Sequence, residues 1–489
     1  MNYATLGKNA LLYSISTTVL RAAAFVLIPI YTYSLSVAEY GLLSVLLQTA
    51  QIFVIVIGIG SRTALVRFAK EHEQKGELGA LIGTSVFVNV IGAAVVTSMS
   101  LLFLLPLFRD ILHTEDVVRY VLLTCAAAAS NCLAFHVMTY YRAGEKGMKV
   151  TLATSAAAVV LVVLTALFVK VMHWGIEGAL IAQTVLYSLL AGCLLIIIAF
   201  NVRLTISLPL TWRLIRFGLP LILVMSGGLI TQTSALYFLS YFRGLSDVGI
   251  YSLGLKLAAI AEMILILPFE MAYEPFVYGH IGHPALWNTI SRLLTYLLLA
   301  YAFVACGIVF IIRDVLPIVA PPDFNPAYFI TFLLMPAFAC RCFYYIGESL
   351  LFVEKRTGTA GTVVTFFSLL SIALNYLMTS LWGMHGTVVV HVFTAAAIGM
   401  TVLWLGLKTA PVRVEWNRVC AAAMLLLVLL AAVYALRNES ALVYYSAVPA
   451  IILLGVLTLF LTGFMRDDEK RALQQLAGRA QRLGSVQDV

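Results

Sequence analysis

About fourteen apolar runs of roughly 20 residues follow one another through this chain, and a helix of that length matches the hydrocarbon thickness of a bilayer. They fall at about 10–32, 40–60, 79–105, 117–138, 150–171, 175–200, 215–242, 248–278, 290–312, 328–353, 359–381, 386–407, 418–435 and 442–464. Inside hydrocarbon every backbone N–H and C=O needs a partner within the protein, so only helices or a closed barrel can span it. Runs this long and continuous are not barrel strands. The expected fold is therefore an all-α membrane protein. With 11% charged residues, 62% hydrophobic residues and a mean hydropathy of +0.99, a soluble chain could not cover its surface. The run from Ala10 to Thr32 is too long for the apolar core of a signal peptide and lacks a small-residue cleavage site, so it is expected to remain as the first span. All seven cysteines lie in apolar runs rather than loops. Cys340 and Cys342, two apart on a helix, point in different directions and do not suggest a metal site.

Basic residues set the orientation. With the N-terminus inside, about 22 of the 31 Lys and Arg fall on the cytoplasmic side and about six on the other. The inner clusters are Arg62–Lys75, Arg142–Lys149, Arg203–Arg216, Lys355–Arg356, Lys408–Arg418 and the tail from Arg466, whereas Arg109, Arg119, Lys170, Arg243, Arg313 and Arg437 lie outside. An even number of spans then returns both termini to the cytoplasm of a bacterial-type inner membrane. The basic excess is read as orientation, and no nucleic acid is expected as a partner. In the tail, Leu473, Leu476, Ala480 and Leu483 recur at helical spacing among basic residues, which fits either a helix on the anionic leaflet or a solvated one.

Two motifs recur at one offset. Glu39-Tyr40-Gly41-Leu42-Leu43-Ser44-Val45 and Asp247-Val248-Gly249-Ile250-Tyr251-Ser252-Leu253 share the pattern acid-x-Gly-x-x-Ser-aliphatic, and Trp174-Gly175-Ile176-Glu177-Gly178 and Trp382-Gly383-Met384-His385-Gly386 share Trp-Gly-x-x-Gly. Both pairs are 208 residues apart (249 minus 41; 382 minus 174), in a chain with only six tryptophans. That common spacing implies an internal duplication of a six-helix unit in parallel orientation, with two helices appended. The expected division is an N-terminal lobe at 1–200, a cytoplasmic linker at 201–213, a C-terminal lobe at 214–408, two further helices at 409–465 and a basic tail at 466–489. The motifs sit at helix ends, where glycine allows a tight turn and an acidic residue complements the helix dipole.

A charge at the centre of a span costs about 2.5–3.5 kcal/mol, so it faces a cavity or a partner. The candidates are Arg21 in the first span, Lys256, Glu262, Glu270 and Glu274 in the eighth, and Arg341 and Glu348 in the tenth. Arg341 and Glu348, seven apart on one helix face, invite an internal ion pair. Arg21 and Lys256 have no acid within a turn and are the stronger cavity candidates. Gln48, Gln51, Asn89, Asn131, His136 and Thr231-Gln232-Thr233 add polar groups, and Gln48 is equivalent to Lys256 under the 208-residue offset, although a lone amide equally serves helix packing. Pro29, Pro220, Gly227-Gly228, Pro268 and Pro336 mark places where spans can bend.

Tyr-Gly-Leu-Leu-Ser at 40–44, Arg216-Phe217-Gly218-Leu219-Pro220 and Val248-Gly249-Ile250-Tyr251-Ser252, set in two six-helix repeats with two extra helices, resemble the Wzx-type oligosaccharide flippases of the superfamily that also holds MATE exporters and MurJ. The resemblance spans nearly the whole chain. It implies movement of an undecaprenyl-pyrophosphate-linked oligosaccharide from the cytoplasmic to the periplasmic face through a cavity between two lobes, with polysaccharide polymerase and chain-length machinery as partners besides membrane lipids. MurJ-like proteins carry a cation in the first span, where Arg21 stands. A diphosphate in a low-dielectric cavity needs cationic partners, and Arg21, Lys256 and Arg341, with Gln48 and Gln232, are the expected substrate-binding residues. Glu262 and Glu270 are the expected ion-coupling residues, with H+ or Na+ left open. No other cofactor, metal or catalytic residue is expected. Two rivals remain: a MATE-type exporter of organic cations, which would want a carboxylate deep in the first lobe, and a membrane enzyme of glycan assembly, which would want a larger extracytoplasmic loop than the roughly 15 residues available.

Overall fold

A computed structural model describes residues 19–20, 22–112, 114–143, 147–283, 285–461 and 464; Arg21, Lys146 and the basic tail lie outside the described residues. Every regular element among them is helical. In chain order these are α1 Ala22–Ser34, α2 Val37–Gly58, α3 Ser61–Gln74, α4 Leu78–Leu102, α5 Leu105–Leu112, α6 Val117–Ala143, α7 Gly147–Thr165, α8 Gly175–Asn201, α9 Leu208–Arg243, α10 Leu245–Ala261, α11 Leu267–Gly279, α12 Leu286–Val319, α13 Ala327–Val353, α14 Thr357–Trp382, α15 Met384–Thr409, α16 Trp416–Ala435 and α17 Ala441–Leu461. Twelve helices among the described residues are long and apolar enough to cross a membrane; α1, whose beginning is not described, and α9, at 36 residues, supply the other two of the expected set. Large apolar side chains such as Val90, Val159, Ile196, Phe366 and Leu453 are exposed on the outer faces. In a chain of this class they meet lipid. The protein is a multi-pass membrane protein.

Two segments expected as loops are helical. The chain leaves α2 through Ile59 and Gly60, with φ of 41° and 63°, and then forms α3 instead of a loop at 62–75. Ala64, Leu65, Phe68 and His72 are spaced to bury one face of α3, while Arg67 and Lys70 stay exposed. Likewise α5 buries Phe108, Ile111 and Leu112 within what was expected as an outer loop.

The chain joins collect at two ends of the bundle. The basic end holds the joins at 75–77, 202–207, 280–283, 354–356 and 410–415; the opposite end holds those at 35–36, 172–174, 244 and 320–326. At the opposite end α2 crosses α10 so closely that a Cβ on Gly41 would lie 1.9 Å from the Leu245 carbonyl oxygen, and one on Gly249 would lie 2.2 Å from that of Val37. Leu245 and Gly249 stand 208 residues after Val37 and Gly41, so the contact is reciprocal, as at a two-fold axis. The other motif also keeps its geometry in both copies: Gly175 and Gly383 have φ of 56° and 58°, values open to glycine. Glu39 does more than meet the helix dipole. It closes a capping box with Ser36, accepting from the Ser36 N–H at 2.8 Å while the Ser36 hydroxyl accepts from the Glu39 N–H at 3.2 Å. Asp247 has no equivalent cap, because Gly244 stands at the N-cap of α10. At the basic end, α9 returns against α3 through Phe217 on Phe68, ring centroids 5.5 Å apart, and Arg213 over the Phe68 ring.

Candidate functional site

The strongest departure from regular backbone in the charged region is a single π turn, Glu262–Ile266, between α10 and α11. Pro268 lies just beyond it, can donate no backbone hydrogen bond, and needs room for its ring in the preceding turn. The wide turn provides that room and aims Glu262 at α13. Arg341 lies 14 residues into α13, about 21 Å along its axis and so near mid-bilayer. Its guanidinium is 3.4 Å from the Glu262 carboxylate, with 42% of the arginine side chain and 13% of the glutamate side chain exposed.

This pairing replaces the one expected within the tenth span. Seven residues separate Arg341 from Glu348 by about two turns, roughly 10 Å along the helix, whereas the π turn brings Glu262 into direct range. Glu348 instead accepts a hydrogen bond from the Tyr344 hydroxyl at 2.7 Å.

Arg341 opens onto two cavities. One, of about 280 Å³, lies among α9, α13, α14 and α15, where Thr231, Gln232, Tyr344, His391 and Thr394 supply its polar groups. Here Ser371 donates to the Thr231 hydroxyl at 3.1 Å, and His391 Nδ1 is 3.2 Å from the Tyr251 hydroxyl. The other cavity, of about 520 Å³, is lined by Glu262, Glu270, Glu274, Arg341 and Tyr345 with Leu267 and Met271. One face of the arginine thus meets hydroxyl, amide and imidazole groups, and the other meets carboxylates. That arrangement suits an anion held on one side and a cation on the other.

The remaining expected residues are dispersed. Lys256, about 16 Å into the eighth span, donates to the Tyr40 hydroxyl of α2 at 3.0 Å, and the Tyr40 ring packs edge-on against Phe324 at 5.5 Å. Lys256 forms no ion pair among the described residues. Gln48 donates from Nε2 to the Thr233 hydroxyl of α9 at 3.3 Å. Both therefore bridge the two halves of the chain. Arg21 lies outside the described residues. The structure accordingly brings together Arg341, Gln232, Glu262 and Glu270, and sets Lys256 and Gln48 nearer the α2–α10 crossing. Tyr344, Tyr345, Thr394 and His391 were not singled out from sequence. Their signal is faint: a histidine within an apolar span, and two tyrosines one turn after an arginine at depth.

Charged and polar groups that open onto cavities between spanning helices mark a functional site within the membrane, as a transporter or flippase requires. The profile of the polysaccharide biosynthesis protein family matches residues 6–277, more than half of the sequence, and the chain belongs to that family. Its fold is similar to that of the lipid II flippase MurJ in an inward closed conformation, with a TM-score of 0.71 at 15% identity over 93% of this chain and 100% of that one. It is also similar to an inward-facing multidrug resistance MATE family transporter of the MOP superfamily, with a TM-score of 0.64 at 15% identity, covering 84% and 96%. A Pyrococcus furiosus MOP superfamily transporter, described as having a binding pocket of reverse polarity, gives 0.57 at 13% identity, covering 86% and 96%. No curated protein sequence matches significantly. Family and fold agree with the resemblance to Wzx-type flippases carried by residues 40–44, 216–220 and 248–252.

Proposed function

We propose that this protein flips a lipid-linked oligosaccharide, its glycan joined through pyrophosphate to an undecaprenyl-type carrier, from the cytoplasmic to the periplasmic leaflet during surface polysaccharide assembly. One observation carries this reading in a chain of the polysaccharide biosynthesis family: an arginine near mid-bilayer keeps 42% of its side chain exposed where it lines a cavity with Gln232 and His391. Two N–H edges of a guanidinium can serve Glu262 and a phosphate oxygen at once. Lys256, which reaches Tyr40 of the first half, and Gln48 on α2 are the described part of an opposing arm, and Arg21, outside the described residues, would complete it from the first half of the chain. The halves are the lobes 1–200 and 214–408, and alternating access arises as they rock about the Gly41–Gly249 crossing. The polymerase and chain-length machinery would take the product on the far side.

The test is made in cells that depend on this gene for surface glycan. Arg21→Ala with Lys256→Ala should abolish the glycan at unchanged protein level, and Arg21→Lys should be milder than Arg21→Ala because charge matters more than shape here. Normal glycan in the double variant would remove the cationic arm. A second reading, export of organic cations, is favoured by the acidic cavity of Glu262, Glu270 and Glu274. It predicts that glycan is indifferent to all of these substitutions while resistance to cationic drugs falls.

Orientation belongs to the same proposal: the basic end is cytoplasmic, as are both termini, in a bacterial inner membrane. Single cysteines at 109–116 should react with an impermeant thiol reagent added from the periplasm, and those at 70–75 should not. The reverse pattern would invert the protein.

A further inference from the structure

The segment that joins the two halves of the chain, 202–207, does not hang free. It lies along α4 at the basic end: the Ser207 N–H donates to the Thr84 hydroxyl at 3.0 Å, and Gly79 packs so closely that a Cβ there would lie 2.1 Å from the Arg203 carbonyl oxygen. Above this strap is an open polar cavity of about 660 Å³ whose lining includes Arg203, Arg213, Glu77 and His72. Below it, sharing Thr205, is an apolar groove of about 370 Å³ between α4 and the last turns of α8, lined by Gly83, Val86, Leu195, Ile196, Ala199 and Leu204.

We propose that the two compartments form one site for an anionic phospholipid, with its phosphate against Arg203 and Arg213 and an acyl chain in the groove. The order of the compartments matches that of a lipid at the bilayer boundary, polar toward the basic end and apolar toward the membrane interior. The surroundings agree, since Phe200, Ile206, Leu208 and Trp212 are all exposed around the strap, and an indole at a helix start is at home among head groups. The charge balance favours an anion. Glu71 is shared, one oxygen on Lys75 at 2.9 Å and the other on Arg213 at 3.6 Å, and it lies outside the cavity lining, where Glu77 is the one acid against two arginines. Arg213 keeps 52% of its side chain exposed and Arg203 is exposed. Guanidinium groups suit a phosphate because they offer paired donors. A lipid seated here touches α4, α8 and the segment leading into α9, and so holds the connection between the halves. The proposal is independent of what the protein transports.

The full chain, purified in detergent, is titrated with dioleoylphosphatidylglycerol, dioleoylphosphatidylcholine and glycerol 1-phosphate, and bound lipid is counted by native mass spectrometry. Phosphatidylglycerol should bind about tenfold more tightly than phosphatidylcholine, and Arg203→Glu should remove that preference, the scale expected for one charge-assisted hydrogen bond, while Arg203→Lys keeps most of it. Ala199→Phe, which fills the groove without touching the arginines, should weaken both lipids alike. It decides the matter should Arg203→Glu fail to fold. Equal affinity for the two lipids, or retention of the preference in Arg203→Glu, would overturn the site. So would binding of both lipids unaltered by Ala199→Phe. Glycerol 1-phosphate competing as well as phosphatidylglycerol would mean a site for free phosphate esters and would overturn the assignment to lipid.

Discussion

Arg341→Ala should lower transport of the lipid-linked oligosaccharide about 10- to 100-fold while the protein still folds, which is the range for losing hydrogen bonds to a charged partner. The arginine stands where the two cavities meet, so its loss removes the cation from the Gln232–His391 side and leaves the carboxylates of Glu262, Glu270 and Glu274 facing one another. Arg341→Lys is expected to recover only part of the activity. An ammonium cannot offer the paired donors that let a guanidinium serve Glu262 and a phosphate together. Transport rates of alanine, lysine and glutamine variants, normalised to protein in the membrane, give the check. Equal rates for all of them would confine Arg341 to a structural ion pair.

Glu262→Gln should do the reverse to the arginine, freeing it rather than removing it. Breaking a fully buried pair costs about 3–5 kcal/mol, but solvent reaches 42% of Arg341, and the discounted cost is about 1–2 kcal/mol. The variant should therefore remain folded and bind the anionic head group more tightly while releasing it more slowly. If Glu262 and Glu270 also carry the coupling ion, H+ or Na+, the double variant Glu262→Gln with Glu270→Gln should make transport insensitive to the gradient of that ion. Unchanged transport and unchanged ion dependence in the double variant would leave both carboxylates with a purely structural role.

The spans and the recurring motifs are legible in the sequence because each reports a local constraint. A helix in hydrocarbon must be about 20 apolar residues long, and a Trp-Gly-x-x-Gly at 174–178 and 382–386 records a positive φ in both copies. The partner of Arg341 is not legible, since Glu262 lies 79 positions earlier on another helix (341 minus 262), and spacing along one helix speaks only of that helix's own face. The π turn that presents Glu262 leaves only the trace of Pro268 a turn later. Lys256 shows the same limit. From sequence it is an unpaired cation at depth, and in the fold its nearest described partner is a tyrosine hydroxyl from the other half of the chain. α3 is hidden for a different reason: its buried stripe of Ala64, Leu65, Phe68 and His72 is short and diluted by five charged neighbours within Arg62–Glu73.

Reconstitution tests the central claim most directly. Vesicles containing the full chain and a fluorescent undecaprenyl-pyrophosphate-linked oligosaccharide are treated with a glycan-cleaving enzyme or quencher that reaches only the outer leaflet. Wild-type protein should make the inner-leaflet pool accessible within minutes, Arg341→Ala and Lys256→Ala should slow this sharply, and an organic cation should neither be transported nor compete. Oligosaccharide lipid that stays inaccessible beside wild-type protein, while a cationic dye crosses the same vesicles, would contradict the account.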